Sequence, residues 1–235
     1  MPFYKKVSDP PRPFVLEPPN LKEVALGQSF ELGLTIFGRA TEQAPWLIQA
    51  FLKAGQKGLR PGRGQYRLFR AENLTSCRPV IEEGKLVGEV EVERATDFSL
   101  PTLKDRVQLE FETPVRLKRE GRLTDSLSFV TLVRHLLRRV AQLGAYYCGS
   151  ILETDFRYWI HLSEKVAEAE NELQWRDWVR RSSRQKSLMK LGGLVGRISY
   201  QGEIKPFTSL LALGQITHVG KGTTFGLGRY RILEE

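Results

Sequence analysis

Apolar and polar residues alternate along this chain with two different periods. In "SFELGLTIFG", Phe30, Leu32, Leu34 and Ile36 are interleaved with Glu31, Gly33 and Thr35, the period of a strand with one buried face. The next stretch, "TEQAPWLIQAFLKAG", sets Trp46, Leu47, Ala50, Phe51 and Ala54 at helical spacing, with Gly55 at the expected stop. Trp46 and Phe51 read as core. Strand-like "QYRLFRAENL" follows a glycine-rich basic loop, "QKGLRPGRG". Alternation returns in "KLVGEVEVER", through Leu86, Gly88, Val90 and Val92, and in "RVQLEFETPVRL", through Val107, Leu109 and Phe111. Strand, helix and three strands in that order predict an α+β half rather than a parallel wound sheet.

A second half opens with a long helix, roughly Ser126 to Tyr147, whose apolar face is Phe129, Leu132, Leu136, Leu137, Val140 and Leu143. A partly helical stretch carries Trp159, Trp175 and Trp178, and "GGLVGRISYQG" reads as a strand. A short helix follows in "KPFTSLLALGQITHVG", with Phe207, Leu210, Leu211 and Ile216 on one side; a glycine run and the strand "RYRIL" come after it. The boundary falls near Arg122 to Ser126, giving domains 1–123 and 124–235. The predicted fold class is α+β, two tandem ferredoxin-like (RRM-like) domains. Neither half carries the aromatic signature of an RNA-recognition module, so any RNA is expected on loops and basic faces.

Hydrophobic residues make up 41% and charged residues 27%, the balance of a globular protein. No apolar run approaches the about eighteen residues that span a bilayer. "MPFYKKVSDPPRPF" has no apolar stretch behind its lysines, so it is not a secretory signal. Cys77 and Cys148 are too few for a disulfide framework or a zinc site. A cytoplasmic protein with no membrane association and no cofactor is expected. The net charge of +9 suggests a polyanionic partner. Its basic residues concentrate in three places: Lys57, Arg60, Arg63, Arg67 and Arg70; Arg116, Lys118, Arg119 and Arg122; and Arg176 to Arg197. Either these converge on one phosphate-lined groove, or they are three separately solvated faces.

The stretch "LLALGQITHVGKGTTFGLGRYRI" resembles the glycine-rich loop region of the RAMP superfamily. It is most similar to the C-terminal domain of CRISPR-associated endoribonucleases that process precursor CRISPR RNA. The likeness extends through "TPVRLKREGRL", "LVRHLLRRVAQL", "SSRQKSLMKLGGLVGRISYQG" and "GLRPGRGQYRLF". The resemblance implies two tandem ferredoxin-like domains, with the glycine loop touching RNA. It implies metal-independent cleavage within the repeat, leaving a 5′-hydroxyl and a 2′,3′-cyclic phosphate. The partners it implies are CRISPR repeat RNA, other effector subunits and a second copy of the chain. The loop is carried over as Gly220, Lys221, Gly222, Gly226 and Gly228.

Glycines there allow main-chain amides close to phosphate oxygens, with Lys221 supplying a point charge; the other reading is a turn needed for packing. Arg229 and Arg231 flank Tyr230 and share one face of a strand. The segment fails as a Walker loop, lacking the Gly-Lys-Ser/Thr ending. Cleavage by the 2′-hydroxyl needs a base and an acid, suiting histidine, and a cation for the charge on phosphorus. His218, two residues before Gly220, is the best-placed histidine, unless it only interacts with a helix C-terminus. His135 lies beside Arg134, Arg138 and Arg139, as an RNA contact or a surface residue, and His161 reads as structural. Family members commonly place the catalytic histidine in the first domain; no histidine precedes His135 here. Hence His218, Lys221 or Tyr66 takes the role, or the chain binds RNA without cutting it. Arg60, Arg63 and Arg67 read either as a basic lip over RNA or as a solvated loop. Arg180, Arg181, Arg184 and Lys186 read as phosphate contacts leading into a strand. Trp175 and Trp178 stack on bases or pack a helix. A generic RNA-binding protein, alike only in its loop, is the remaining reading.

Overall fold

The computed structural model describes residues 10–19, 21, 23–59, 64–119, 121–177, 179–182 and 187–233. Arg60, Arg63, Trp178, Arg184 and Lys186 lie outside the described residues. The chain divides into two compact units, one formed by residues 1–38 with 99–235 and the other by residues 39–98.

In the larger unit, strands β1 (Phe14–Glu17) and β2 (Gly33–Ile36) pair antiparallel, with Val15 facing Thr35. The smaller unit holds α1 (Ala44–Lys57) and a short sheet of β3 (Ala71–Glu72), β4 (Pro79–Glu82) and β5 (Lys85–Leu86). α1 runs through Gly55 and ends at Lys57, where Gly58 turns away at φ 77°. Gly55 instead admits the main chain of Tyr66, whose N–H donates to its carbonyl (3.2 Å). Trp46 is exposed, at 73%, so it is not core: the helix buries Ala44 and Gly55, with Leu47 and Phe51 half-buried. The alternation after Leu86 does not extend the ladder either. Leu86, Val87 and Val92 are exposed, because a two-residue period needs a covering layer to become a half-buried strand.

The larger unit continues with β6 (Arg106–Val115) and the hairpin of β7 (Lys118–Arg119) and β8 (Arg122–Leu123). Helices α2 (Phe129–Leu143) and α3 (Phe156–Ser163) follow. Then come β9 (Ala167–Asn171), β10 (Gln174–Arg176), β11 (Val179–Ser182), β12 (Ser187–Lys190), β13 (Gly193–Gln201), α4 (Thr208–Thr217) and β14 (Tyr230–Leu233). β14, β6 and β13 pair antiparallel in that order, and β13 pairs β9 and β10 on its other side. With α2 between β6 and β9, and α4 between β13 and β14, this is a βαββαβ ferredoxin-like unit. The strand Arg106–Val115, assigned to the first half from sequence, is thus an inner strand of this sheet. Its period identified a strand, but its partners lie far along the chain.

Alternation decides which face of that sheet is covered. Val107, Leu109 and Phe111 of β6 are buried, with Ile198 and Tyr200 of β13 and Tyr230 of β14. α2 lays Phe129, Leu132, Val133, Leu136 and Leu137 on them, and α4 adds Leu211. Rings of Phe129, Tyr200 and Phe207 meet edge to face, with centroids 5.0 Å apart in both pairs with Phe129. Two buried phenols reach acceptors: Tyr200 donates to Leu127 O (2.6 Å) and Tyr230 to Leu211 O (2.7 Å). Ser128 caps α2 by accepting from Thr131 N–H. No helix among the described residues is long and apolar enough to cross a membrane.

Candidate nucleic-acid interface

α4 ends at Thr217, and His218 leaves it with φ 56°, a left-handed geometry rare for a side chain with a Cβ. The loop then folds onto the end of β6. Lys221 N–H donates to Arg116 O (3.0 Å), Gly228 N–H to Pro114 O (3.1 Å), and Val219 N–H to Gly228 O (3.1 Å). Thr113 Oγ1 donates to Gly226 O (2.7 Å) and accepts from Arg229 N–H (2.9 Å). Glycine is required at two of these positions. A Cβ on Gly226 lies 2.9 Å from Leu16 O of β1, and one on Gly228 runs into Val219 O; both have positive φ.

The amides of Lys221, Gly226 and Gly228 therefore bond within the protein, and Gly226 and Gly228 are buried. This corrects the reading of those amides as a phosphate cradle: the turn has to fit between β1 and β6. Gly220 and Gly222 are half-buried and Lys221 is exposed.

His218 is 0% exposed. Its Nε2 lies 2.9 Å from Glu17 Oε1, and its Nδ1 is buried without a hydrogen-bond partner among the described residues. A ring with no exposed surface cannot reach a ribose hydroxyl, so His218 is not placed to act on RNA; it fastens β1 to the loop root. Glu17 also accepts from Arg229 Nη1 (3.0 Å). The His218 hydrogen bond, against the opposing effect of burial and with help from Arg229, holds the Glu17 carboxyl below its ordinary range.

From Arg229 a ladder of ion pairs crosses the open face of the sheet. Arg229 Nε meets Glu112 (2.7 Å), Glu112 meets Arg231 Nε (2.6 Å), Arg231 Nη2 meets Glu110 (3.0 Å), and Glu110 meets Arg197 Nε (3.0 Å). Arg229 and Arg231 do share a face, but their charge is matched there by carboxylates, which lessens the case for Arg229 as an RNA contact.

The surroundings of Lys221 are the opposite. Burial, and the nearby cations of Lys118 and Arg116, lower its ammonium pKa. Among the described residues, neither Lys118 nor Lys221 pairs with a carboxylate. His135 of α2 binds Lys118 through Nε2···O (3.0 Å), and Arg139, one turn on, donates from Nε to Thr217 O (2.8 Å) at the end of α4. Arg139 is buried, which brings its pKa down to about 10. Its guanidinium caps α4 where unsatisfied carbonyls collect.

The other expected residues stand on other elements. Tyr66 belongs to the 39–98 unit; its hydroxyl donates to Phe51 O (2.8 Å), and burial raises its pKa. A phenol so engaged is a poor proton donor or acceptor for RNA. Arg67 is exposed, with its guanidinium 5.3 Å from the Phe69 ring centre. Arg180 and Arg181 stand in β11, opposite Met189 and Leu188 of β12. Trp175 sits on β10 rather than a helix, 44% exposed, donating to Asp177 (3.0 Å). Sequence reasoning missed Glu17, which bonds a residue 201 positions away, and no local pattern signals that.

Comparison with known proteins bears on the same segments. The family model described as CRISPR-associated endoribonuclease Cas6 matches residues 109–230, from β6 to β14. A second model, described as an N-terminal domain, matches residues 2–95. No curated protein sequence matches the chain. Among solved structures, a Cas6 from Thermus thermophilus superposes with TM-score 0.62 at 16% identity, covering 96% of this chain and 81% of that one. A product complex of that Cas6 gives 0.64 at 20% identity, covering 96% and 84%. A partial Cas6-RT-Cas1–Cas2 complex gives 0.53 at 16%, covering 94% of this chain and 39% of the other. With the model spanning more than half of the residues, and the sheet and loop it covers folded as described, the chain belongs to the CRISPR-associated endoribonuclease family Cas6.

Proposed function

We propose that this chain cuts precursor CRISPR RNA within the repeat, by attack of a 2′-hydroxyl on the adjacent phosphate and without a metal ion. The products are a 5′-hydroxyl end and a 2′,3′-cyclic phosphate end. The observation that carries this reading is the contrast between two neighbouring surfaces. On the sheet face every arginine of the ladder meets a carboxylate. Beside the loop, Lys118 and Lys221 gather although like charges repel, an arrangement that a polyanion relieves. In this reading Lys221, with Gly220 and Gly222 beside it, faces the scissile phosphate, and Arg67, Arg180 and Arg181 hold flanking RNA. His218 and Arg229 keep the loop in place.

Incubating repeat RNA with the full chain in chelator tests the reading. Cleavage is expected in chelator and is abolished by a 2′-deoxy nucleotide at the cut; a strict need for added metal overturns the mechanism. The burial of His218 and the engagement of Tyr66 favour a second reading, a subunit that holds guide RNA without cutting it. Tight binding of repeat RNA with no products supports that alternative. The complexes that other Cas6 proteins form suggest CRISPR proteins as further partners, and a homodimer in the cytoplasm completes the proposal.

A further inference from the structure

Two side chains on one face of α2 organise the cationic cluster. Arg139 binds the carbonyl that ends α4, and His135 binds the carbonyl of Lys118, whose side chain lies beside Lys221. A carbonyl only accepts, so His135 Nε2 carries the hydrogen and Nδ1 is the basic atom. Among the described residues Nδ1 has no hydrogen-bond partner. Of the other histidines, His218 has no exposed surface and His161 is paired with Glu164 at 3.0 Å.

We infer that His135 is the general base of an RNA-cleaving centre in which Lys221 is the proton donor and Lys118 and Arg116 face the phosphate. This rests on the endoribonuclease reading above. Nδ1 takes the proton of the ribose 2′-hydroxyl, and O2′ bonds to phosphorus. The P–O5′ bond breaks with its electron pair on O5′, which takes a proton from the Lys221 ammonium. Water then removes the proton from His135 and restores that of Lys221. The charged groups around His135 favour the neutral ring: burial first, then Arg138 and Arg134 on α2, lower its pKa, and only the bond to Lys118 opposes them. Lys221, made more acidic by burial and by Lys118 and Arg116, is the better donor for it.

An imidazole that merely holds Lys118 in place is separated from a base by His135→Gln. The glutamine amide keeps a donor for the Lys118 carbonyl but exchanges no proton. The full-length variant and wild type are compared in single-turnover cleavage of repeat RNA from about pH 5 to pH 9, and in binding of 2′-deoxy repeat RNA. Expected are unchanged binding, a cleavage rate lower by about 100-fold or more, and loss of the acid-side limb of the pH profile. A His135→Gln enzyme that cuts within a few-fold of wild type, or keeps the limb, overturns the base while leaving the endoribonuclease reading intact. A wild type that binds repeat RNA and never cuts it overturns both. Should the variant fail to fold, imidazole NMR signals of wild type decide: 2′-deoxy RNA shifts the His135 signal, and no shift ends the assignment.

Discussion

Glu17 is joined to a histidine and an arginine far along the chain, and its titration reports on that union. Its carboxyl is held below its ordinary 4.5 chiefly by the His218 hydrogen bond, so the folded protein binds the proton less readily than the unfolded chain. The stabilisation is complete above about pH 4.5 and is lost as pH falls through the lower folded value. Thermal melts of wild type are therefore expected to drop more steeply below that pH than melts of Glu17→Gln, which has no carboxyl to titrate. Parallel curves would show that the union adds nothing. At this scale the sequence was legible where chemistry is local. Lys221, set between two glycines, stands exposed. His218 drew notice for its place before Gly220, yet the reason it sits there is a carboxylate from β1.

Among the elements, the glycine-rich loop gives the sharpest test. Gly228 has φ 72° and no room for a Cβ beside Val219 O, whereas a Cβ at Gly64 meets nothing within 4 Å. Gly228→Ala is expected to cost about 2–4 kcal/mol in denaturant unfolding, and Gly64→Ala to stay within about 0.5 kcal/mol. Comparable losses at both positions would remove the packing argument. α2 was readable because its apolar residues recur at helical spacing from a firm boundary, the Ser128 cap. The stretch after Leu86 misled because alternation records only that two faces differ, not that anything lies against the apolar one. Gly55 misled for a related reason: close approach of Tyr66 and helix termination both call for glycine.

For the whole molecule, ionic strength separates charge that is free to meet RNA from charge already matched. Each phosphate contact on a single strand contributes about −0.7 to the slope of log affinity against log salt. Lys221→Ala is expected to flatten that slope by about 0.7, and Arg231→Ala, whose cation meets Glu110 and Glu112, to leave it unchanged. Equal slopes for the two variants would put the RNA elsewhere. Composition revealed a basic protein, but only the folded sheet shows which of its arginines are matched.

The fastening of β1 to the glycine-rich loop carries a consequence for synthesis. During translation the hairpin ending at Ile36 emerges well before Gly226 is added, 190 residues later. At ribosomal speeds that is a wait of roughly 10 to 40 seconds, with Val15 uncovered and Glu17 without its arginine. A nascent chain stalled before the loop is made therefore leaves a core valine and a carboxylate open to water, the kind of surface a chaperone or another half-made chain would claim first.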